Sequence, residues 1–255
     1  MKPKLVVVVI VLLLVAMVPA LAMAKSQAKP SKTGSVVLDT RQPLGPQLDA
    51  QMGVGKNGPR SASAFDSRIA SRGGAQSRAV YGLLLDNFEA PWAEGMNWSF
   101  GELGFSPVGW DITDIESRGG DWSLYSAGWW NDPWSNPYYD NDMYSYAEYP
   151  MDLQGAQRVQ VRFYYMNDTE YGWDTFYWCS YDGNFSLYCD YHTGSTNGKW
   201  RQVKIDSNKS WALQQSLGSP FASYVFLFES DSSIVDRGTF VDQMHIRAWG
   251  PQPSN

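Results

Sequence analysis

Histidine is almost missing from this chain: His192 and His245 are the only two in 255 residues. Neither sits in H-E-x-x-H, which excludes that zinc-protease helix, and no G-x-S-x-G is present to form a nucleophile elbow. His192 is expected at the surface near a loop, and His245 on the outward face of the last strand. Cysteine is equally scarce, with Cys179 and Cys189 alone. Two cysteines exclude a disulfide-dense scaffold. Helical periodicity is nearly absent after residue 80. Only 210–218, with Leu213 and Leu217 four apart, has the spacing for a helical turn or two. No apolar run after residue 24 is long enough to span a bilayer. Positive charge is lacking where it would matter for nucleic acid. From residue 81 onward nine Lys and Arg face 23 Asp and Glu, a net of −14, whereas phosphate binding needs a basic surface.

Paired acids are the remaining catalytic option. In DITDIE, Asp114 and Glu116 share a strand face, but the next position on that face is Ile112, where the sugar-hydrolase pattern needs its nucleophilic carboxylate. No enzymatic activity is expected.

What is present begins with Lys2 and Lys4, the run LVVVVIVLLLVAMVPALAMA, and Ala22-Met23-Ala24 after Pro19. A charged start, an apolar stretch and a small-residue ending spell a signal peptide over 1–24, so the mature protein is expected outside the cell with no membrane span. The alternative is an uncleaved anchor, because 5–24 can just cross ~30 Å of hydrocarbon. Residues 25–80 are rich in Ser, Gly, Pro, Gln and Arg, lack Trp, and carry nine basic residues against three acidic, a net of +6. This reads as a disordered basic linker or pro-segment.

Residues 81–250 contain short β-rich runs broken by turn residues: VYGLLLD, WDITDIE, DWSLYS, MYSYAEYPMDL, QRVQVRFYYM, DTFYWCSYDG, NFSLYCDYH, KWRQVKID, ASYVFLFES and GTFVDQMHIRAW. Such spacing predicts an all-β antiparallel sandwich, with 251–255 as a tail. Val159, Val161, Phe163 and Tyr165 alternate with Gln160, Arg162 and Tyr164, the pattern of a strand buried on one face. Cys179 and Cys189 flank a turn at 182–184, on the two arms of a hairpin. In an oxidising compartment they bond to each other, or else remain two unlinked thiols if the register differs.

The order of LLLDNFE, GGDWSLYS, YPMDLQGAQRVQVRFYYM, DTFYWCSYDGNF, GKWRQVKID and GTFVDQMHI resembles the MAM-like jelly-roll modules of adhesive ectodomains. Similar modules stand beside secreted proteases of the immune inhibitor A and subtilisin types. The resemblance implies a jelly-roll sandwich of the MAM-like or concanavalin-like kind, without the cysteine framework of animal MAM modules. It also implies a structural calcium ion where the FE of the first strand meets an Asp of the last, here Glu89 and Asp242, with Asp86 and Asp121 as further candidates. By strict alternation Asp242 falls on one face with Phe240, Met244, Ile246 and Ala248, inside the core, where an unpaired carboxylate is very costly. The alternative to an ion is a set of backbone N–H donors, or Arg118 or Arg247. The cluster Asp132, Asp140 and Asp142 lacks EF-hand spacing and reads as a solvated loop.

The stretch 128–150, GWWNDPWSNPYYDNDMYSYAEYP, leaves two readings open. Trp129, Trp130, Trp134, Tyr138 and Tyr139 form an exposed platform for sugar rings, whose apolar faces suit planar aromatics. Otherwise they close one end of the core. The expected function is accordingly a secreted non-catalytic module that recognises a glycan or an extracellular surface protein. The alternative is a structural or protein-adhesion module without glycan binding, accessory to a secreted protease. The oligomeric state is not legible.

Overall fold

The computed structural model describes residues 33–39, 80–89, 98–104, 106–129 and 138–251. They form two antiparallel sheets packed face to face. One runs β1 (Thr33–Asp39), β9 (Ser186–Thr193), β8 (Thr175–Tyr181), β11 (Ala222–Glu229), β6 (Tyr144–Met151) and β3 (Ser99–Glu102). The other runs β10 (Arg201–Asp206), β7 (Arg158–Asp168), β12 (Gly238–Trp249), β5 (Ser123–Trp129) and β4 (Gly109–Thr113), with β2 (Val80–Asp86) paired to the later part of β12. A single short helix, α1 (Trp211–Gln214), stands among the described residues, its N-terminus capped by the Ser210 hydroxyl. This is the expected jelly-roll β-sandwich. No helix among the described residues is long and apolar enough to cross a membrane.

Alternation explains why these runs are strands. On β7 the side chains of Val159, Val161, Phe163 and Tyr165 enter the core, while Arg158, Gln160, Arg162 and Tyr164 face out. The inner faces meet in a largely aromatic core. Phe163 sits edge-on to Phe226 at 5.0 Å and to Trp178 at 6.0 Å, and Trp98 stacks on Phe226 at 5.7 Å. These offset and edge-to-face geometries are the ones aromatic quadrupoles prefer.

All ten β-rich runs are strands, but two strands were not anticipated. β3 is a four-residue edge strand. β1 lies inside the segment expected to lack structure, and it adds to the edge of its sheet beside β9. Val36 and Leu38 of β1 join Tyr177, Leu187, Val225 and Leu227 in a second apolar cluster on the sheet's other face, around the Cys179–Cys189 disulfide. The two cysteines sit directly opposite on β8 and β9, so the hairpin reading of that pair holds. In the chain-entropy view, closing so short a loop contributes ~2–3 kcal/mol.

The last strand departs from simple alternation. Gln243 has φ 52°, in the left-handed region, and the β12–β7 register shifts between Asp242 and His245. This bulge reverses the pleat. Val241 faces inward opposite Tyr165, and Ile246 faces inward opposite Val161, but Asp242 pairs with Tyr164 and points to the outer face of its sheet. The expectation that Asp242 shares a face with Met244 and Ile246 is therefore corrected.

Candidate functional site

Two places collect chemistry-bearing residues. The first is the loop between β4 and β5. Asp242 is fully buried against it: Oδ2 accepts from the backbone N–H groups of Arg118 (2.8 Å) and Gly119 (3.1 Å), and Oδ1 from that of Gln243 (2.6 Å). Glu89 reaches the same loop because Phe88, at φ 58°, turns the chain after β2. Its carboxylate accepts from Asp121 N–H (2.9 Å) and Trp122 N–H (3.2 Å). Gly120, at φ 87°, is required there, since a Cβ would lie 2.1 Å from Glu89 Oε1. Burial raises the Asp242 carboxyl above its ordinary range and the nearby Glu89 charge adds to this, while the three N–H donors pull it back.

The structure thus brings Glu89 and Asp242 to one loop. Asp121 meets Glu89 through its backbone N–H. Asp86 is elsewhere: its oxygens accept from Phe88 N–H (2.8 Å) and Trp98 Nε1 (2.9 Å), fixing the turn after β2. Among the described residues, no three His, Cys, Asp or Glu side chains converge as metal ligands.

The second place is the end of the sandwich where 138–140, 170–174 and 231–236 come together. Trp130 and Trp134 lie outside the described residues, and of Trp129 only the backbone is described, as the last residue of β5. Tyr138 is 44% exposed, whereas Tyr139 is 1% exposed, so Tyr139 belongs to the core and not to a platform. Its ring packs edge-on to Phe228 at 5.0 Å, and its hydroxyl donates to Asp174 Oδ2 and accepts from Glu170 N–H (3.3 Å). Asp174 Oδ1 accepts from Asp231 N–H (2.8 Å), and Tyr139 N–H donates to the Asp236 carbonyl (3.0 Å). One buried Tyr–Asp pair therefore ties three loops together.

On their outside these loops present Tyr138, Trp173 (52% exposed), Ile234 and Val235 to solvent. Polar groups stand beside them: the Ser233 hydroxyl contacts Glu170 Oε2 (3.1 Å) and Asp231 Oδ1 (2.9 Å). Trp173, in the turn after β7, was missed because it falls between the β-rich runs ending at Met166 and beginning at Asp174.

The remaining candidates are engaged locally, some within these two places and some away from them. Asp140 accepts from the Ser106 hydroxyl (3.1 Å), and Asp142, at φ 56°, forms an exposed turn. Glu116 of DITDIE pairs with Arg237 (2.6 Å). His192 is not at the surface as expected; it is buried, with Nδ1 3.2 Å from the Tyr165 hydroxyl.

No protein-family model and no curated protein matches this chain. Solved structures similar to it include TmCBM61 in complex with β-1,4-galactotriose, 11% identical over 63% of this chain and 92% of that one, with a TM-score of 0.42. A CBM22-1 xylan-binding domain from Paenibacillus barcinonensis is 16% identical over 68% and 97%, with a TM-score of 0.39. The K3 cleaved adhesin domain of Lys-gingipain from Porphyromonas gingivalis is 12% identical over 65% and 98%, with a TM-score of 0.47. Likeness at this level assigns no family, and the functional reading rests on the site itself.

Burial raises Asp174 from the ordinary 3.8 to about 6, against the pull of its hydrogen bonds to Tyr139 and Asp231. A raised folded-state value means that the folded protein holds this proton more tightly than the unfolded chain. Its contribution to stability is present below pH ~4 and lost as the pH rises through ~6, an effect of ~3 kcal/mol. Asp174→Asn cannot titrate. Urea unfolding of both proteins between pH 4 and 7 is expected to show the parent losing stability relative to the variant across that window; a constant difference would contradict the raised value.

Proposed function

We propose that this chain is a secreted, non-catalytic binding module whose loop end recognises carbohydrate. The observation that carries this reading is the exposed pair Tyr138 and Trp173 on loops that the buried Tyr139–Asp174 hydrogen bond holds in place. Planar aromatic faces take the apolar face of a sugar ring, and carboxylates and hydroxyls such as Glu170, Asp231 and Ser233 take its hydroxyl groups. A scaffold that fixes the loops before the ligand arrives lowers the entropy cost of binding. Trp130 and Trp134 stand in the sequence just ahead of Tyr138 and extend this aromatic stretch. Secretion rests on the signal-like start of the chain.

Glu89 and Asp242 support a second element of the proposal, a structural cation. Two like charges share one loop, no side-chain cation among the described residues is bonded to Asp242, and Arg118 is turned away, its guanidinium 3.6 Å over the Tyr164 ring and bonded to Gln243. A calcium ion would take both carboxylates and complete its six to eight oxygens from loop carbonyls and water.

Titrating the whole secreted chain with soluble polysaccharides, followed by tryptophan fluorescence, is expected to give a saturable change with at least one glycan. Trp173→Ala should weaken that binding at least about tenfold, ~1.4 kcal/mol, while the melting temperature holds, because the ring is half exposed. A flat response across the panel would overturn the carbohydrate reading and leave a protein-contacting module. For the cation, melting with saturating calcium should exceed melting with EDTA by an amount equivalent to ~2.7 kcal/mol at a hundredfold excess over Kd, and Glu89→Gln should abolish the difference. Coincident parent curves would remove the ion.

A further inference from the structure

Nine basic residues lie from residue 81 onward, and their placement is uneven. Arg158 and Arg162 point outward from β7, Lys204 from β10 and Arg247 from β12. The registers line these strands side by side. One row reads Leu85, His245, Arg162, Lys204; the next reads Gly82, Arg247, Gln160, Asp206. Lys204, Arg247 and Leu85 are exposed, so the face is open to solvent. Two acids share this face: Asp206, already paired with Arg158 through both guanidinium contacts, and Asp242, buried beneath the β4–β5 loop on three backbone N–H groups.

The face's own histidine sits among these cations. Burial, together with Arg162 and Arg247, pushes the His245 imidazole down, and Arg162 Nη2 donates to Nδ1 of the ring (2.9 Å). Asp242, the acid next along this face, is taken up by three backbone N–H groups, and acids farther off than the ~8 Å screening length are screened at physiological salt.

The face also has an edge that is shaped. Past β10 it drops into a groove of about 840 Å³ between that strand and β1 of the other sheet. Ser35, Asp190, Lys204, Asn208, Lys209 and Trp211 line it. Trp211 is 49% exposed and stands edge-on to Tyr188 at 5.0 Å. Asp190 is the second acid here; the Ser35 hydroxyl donates to it, and its burial raises its proton affinity. The groove lies away from the loop end. Gln160 precedes Asp168 by eight residues on β7, ~27 Å at ~3.3–3.4 Å per residue.

We infer that the outer face of β7, β10 and β12, with the groove at its edge, is a second binding surface, and that its ligand is an anionic polysaccharide carrying carboxylates on its sugar rings. Charge complementarity selects an anion, and the guanidinium fork of Arg247 matches a carboxylate in two hydrogen bonds. The exposed indole of Trp211 and the hydroxyl and amide groups of Ser35 and Asn208 select a sugar chain over a bare polyanion, because they offer a stacking face and hydroxyl partners beside the cations. An open sheet face accommodates an extended chain, and the cations recur along it at strand spacing.

The probe is polygalacturonate, titrated into the whole secreted chain by calorimetry in parallel with a neutral glycan and with inorganic polyphosphate. Binding of polygalacturonate is expected. It should fall at least about tenfold in Lys204→Gln/Arg247→Gln, whose altered side chains are exposed and leave the fold intact, and also in Trp211→Ala. It should weaken further between ~0.1 M and ~1 M salt, as the screening length drops from ~10 to ~3 Å. Trp173→Ala should leave it unchanged, which separates this surface from the loop end. Binding of a neutral glycan alone would overturn the inference and keep the loop-end reading. Equal binding of polyphosphate, indifferent to Trp211→Ala, would reduce the surface to unspecific charge and also overturn it. No response to any of the three probes would defeat it outright.

Discussion

The bulge at Gln243 is the constraint on which the outer face of the β12 sheet and its contacts with the β4–β5 loop depend. β12 is the central strand of its sheet, paired to β7 along one side and to β5 and then β2 along the other. A strand that kept strict alternation through Asp242 and Met244 would send one of the two into the wrong medium. The left-handed residue at 243 resolves this conflict. It lets Val241 and Ile246 both face the core while Asp242, His245 and Arg247 face out. Asp242 then meets the backbone donors of the β4–β5 loop, and Arg247 joins the basic face.

The loop end rests on a related economy. A buried carboxylate is unfavourable unless it is hydrogen-bonded, and Asp174 is bonded on both oxygens, to Tyr139 and to the Asp231 backbone. Each contact crosses to a different loop. The pair therefore converts a burial cost into a joint that orients Tyr138 and Trp173, which themselves contribute little to the fold. Where binding groups stand on loops, a rigid joint beneath them is what gives those loops a defined shape.

The strand runs were legible because each buries one or both faces and alternates or fills accordingly, and the turn residues between them are explicit. The cysteine pair was legible for the same reason, since its hairpin has a short turn. β1 was not, because VVL in a polar stretch carries too little apolar residue to predict a strand without its partner β9. The face of Asp242 was not legible either. Bulges often announce themselves with glycine, and Gln243 carries no such mark. Tyr138 and Tyr139 were grouped together, yet adjacent residues in extended chain point to opposite sides, so one is exposed and the other buried. Trp173 and Trp211 escaped notice because both lie outside the β-rich runs, where exposure is decided by the surrounding fold.

The measurement that bears most directly on the central claim is an amide and indole shift map of the isotopically labelled chain, recorded as a bound oligosaccharide is added. Shifts concentrated in 138–140, 170–174 and 231–236, including the Trp173 indole N–H, are the predicted result. A bound oligosaccharide that moves only signals remote from these loops would contradict the claim that the Tyr139–Asp174 joint supports the carbohydrate site.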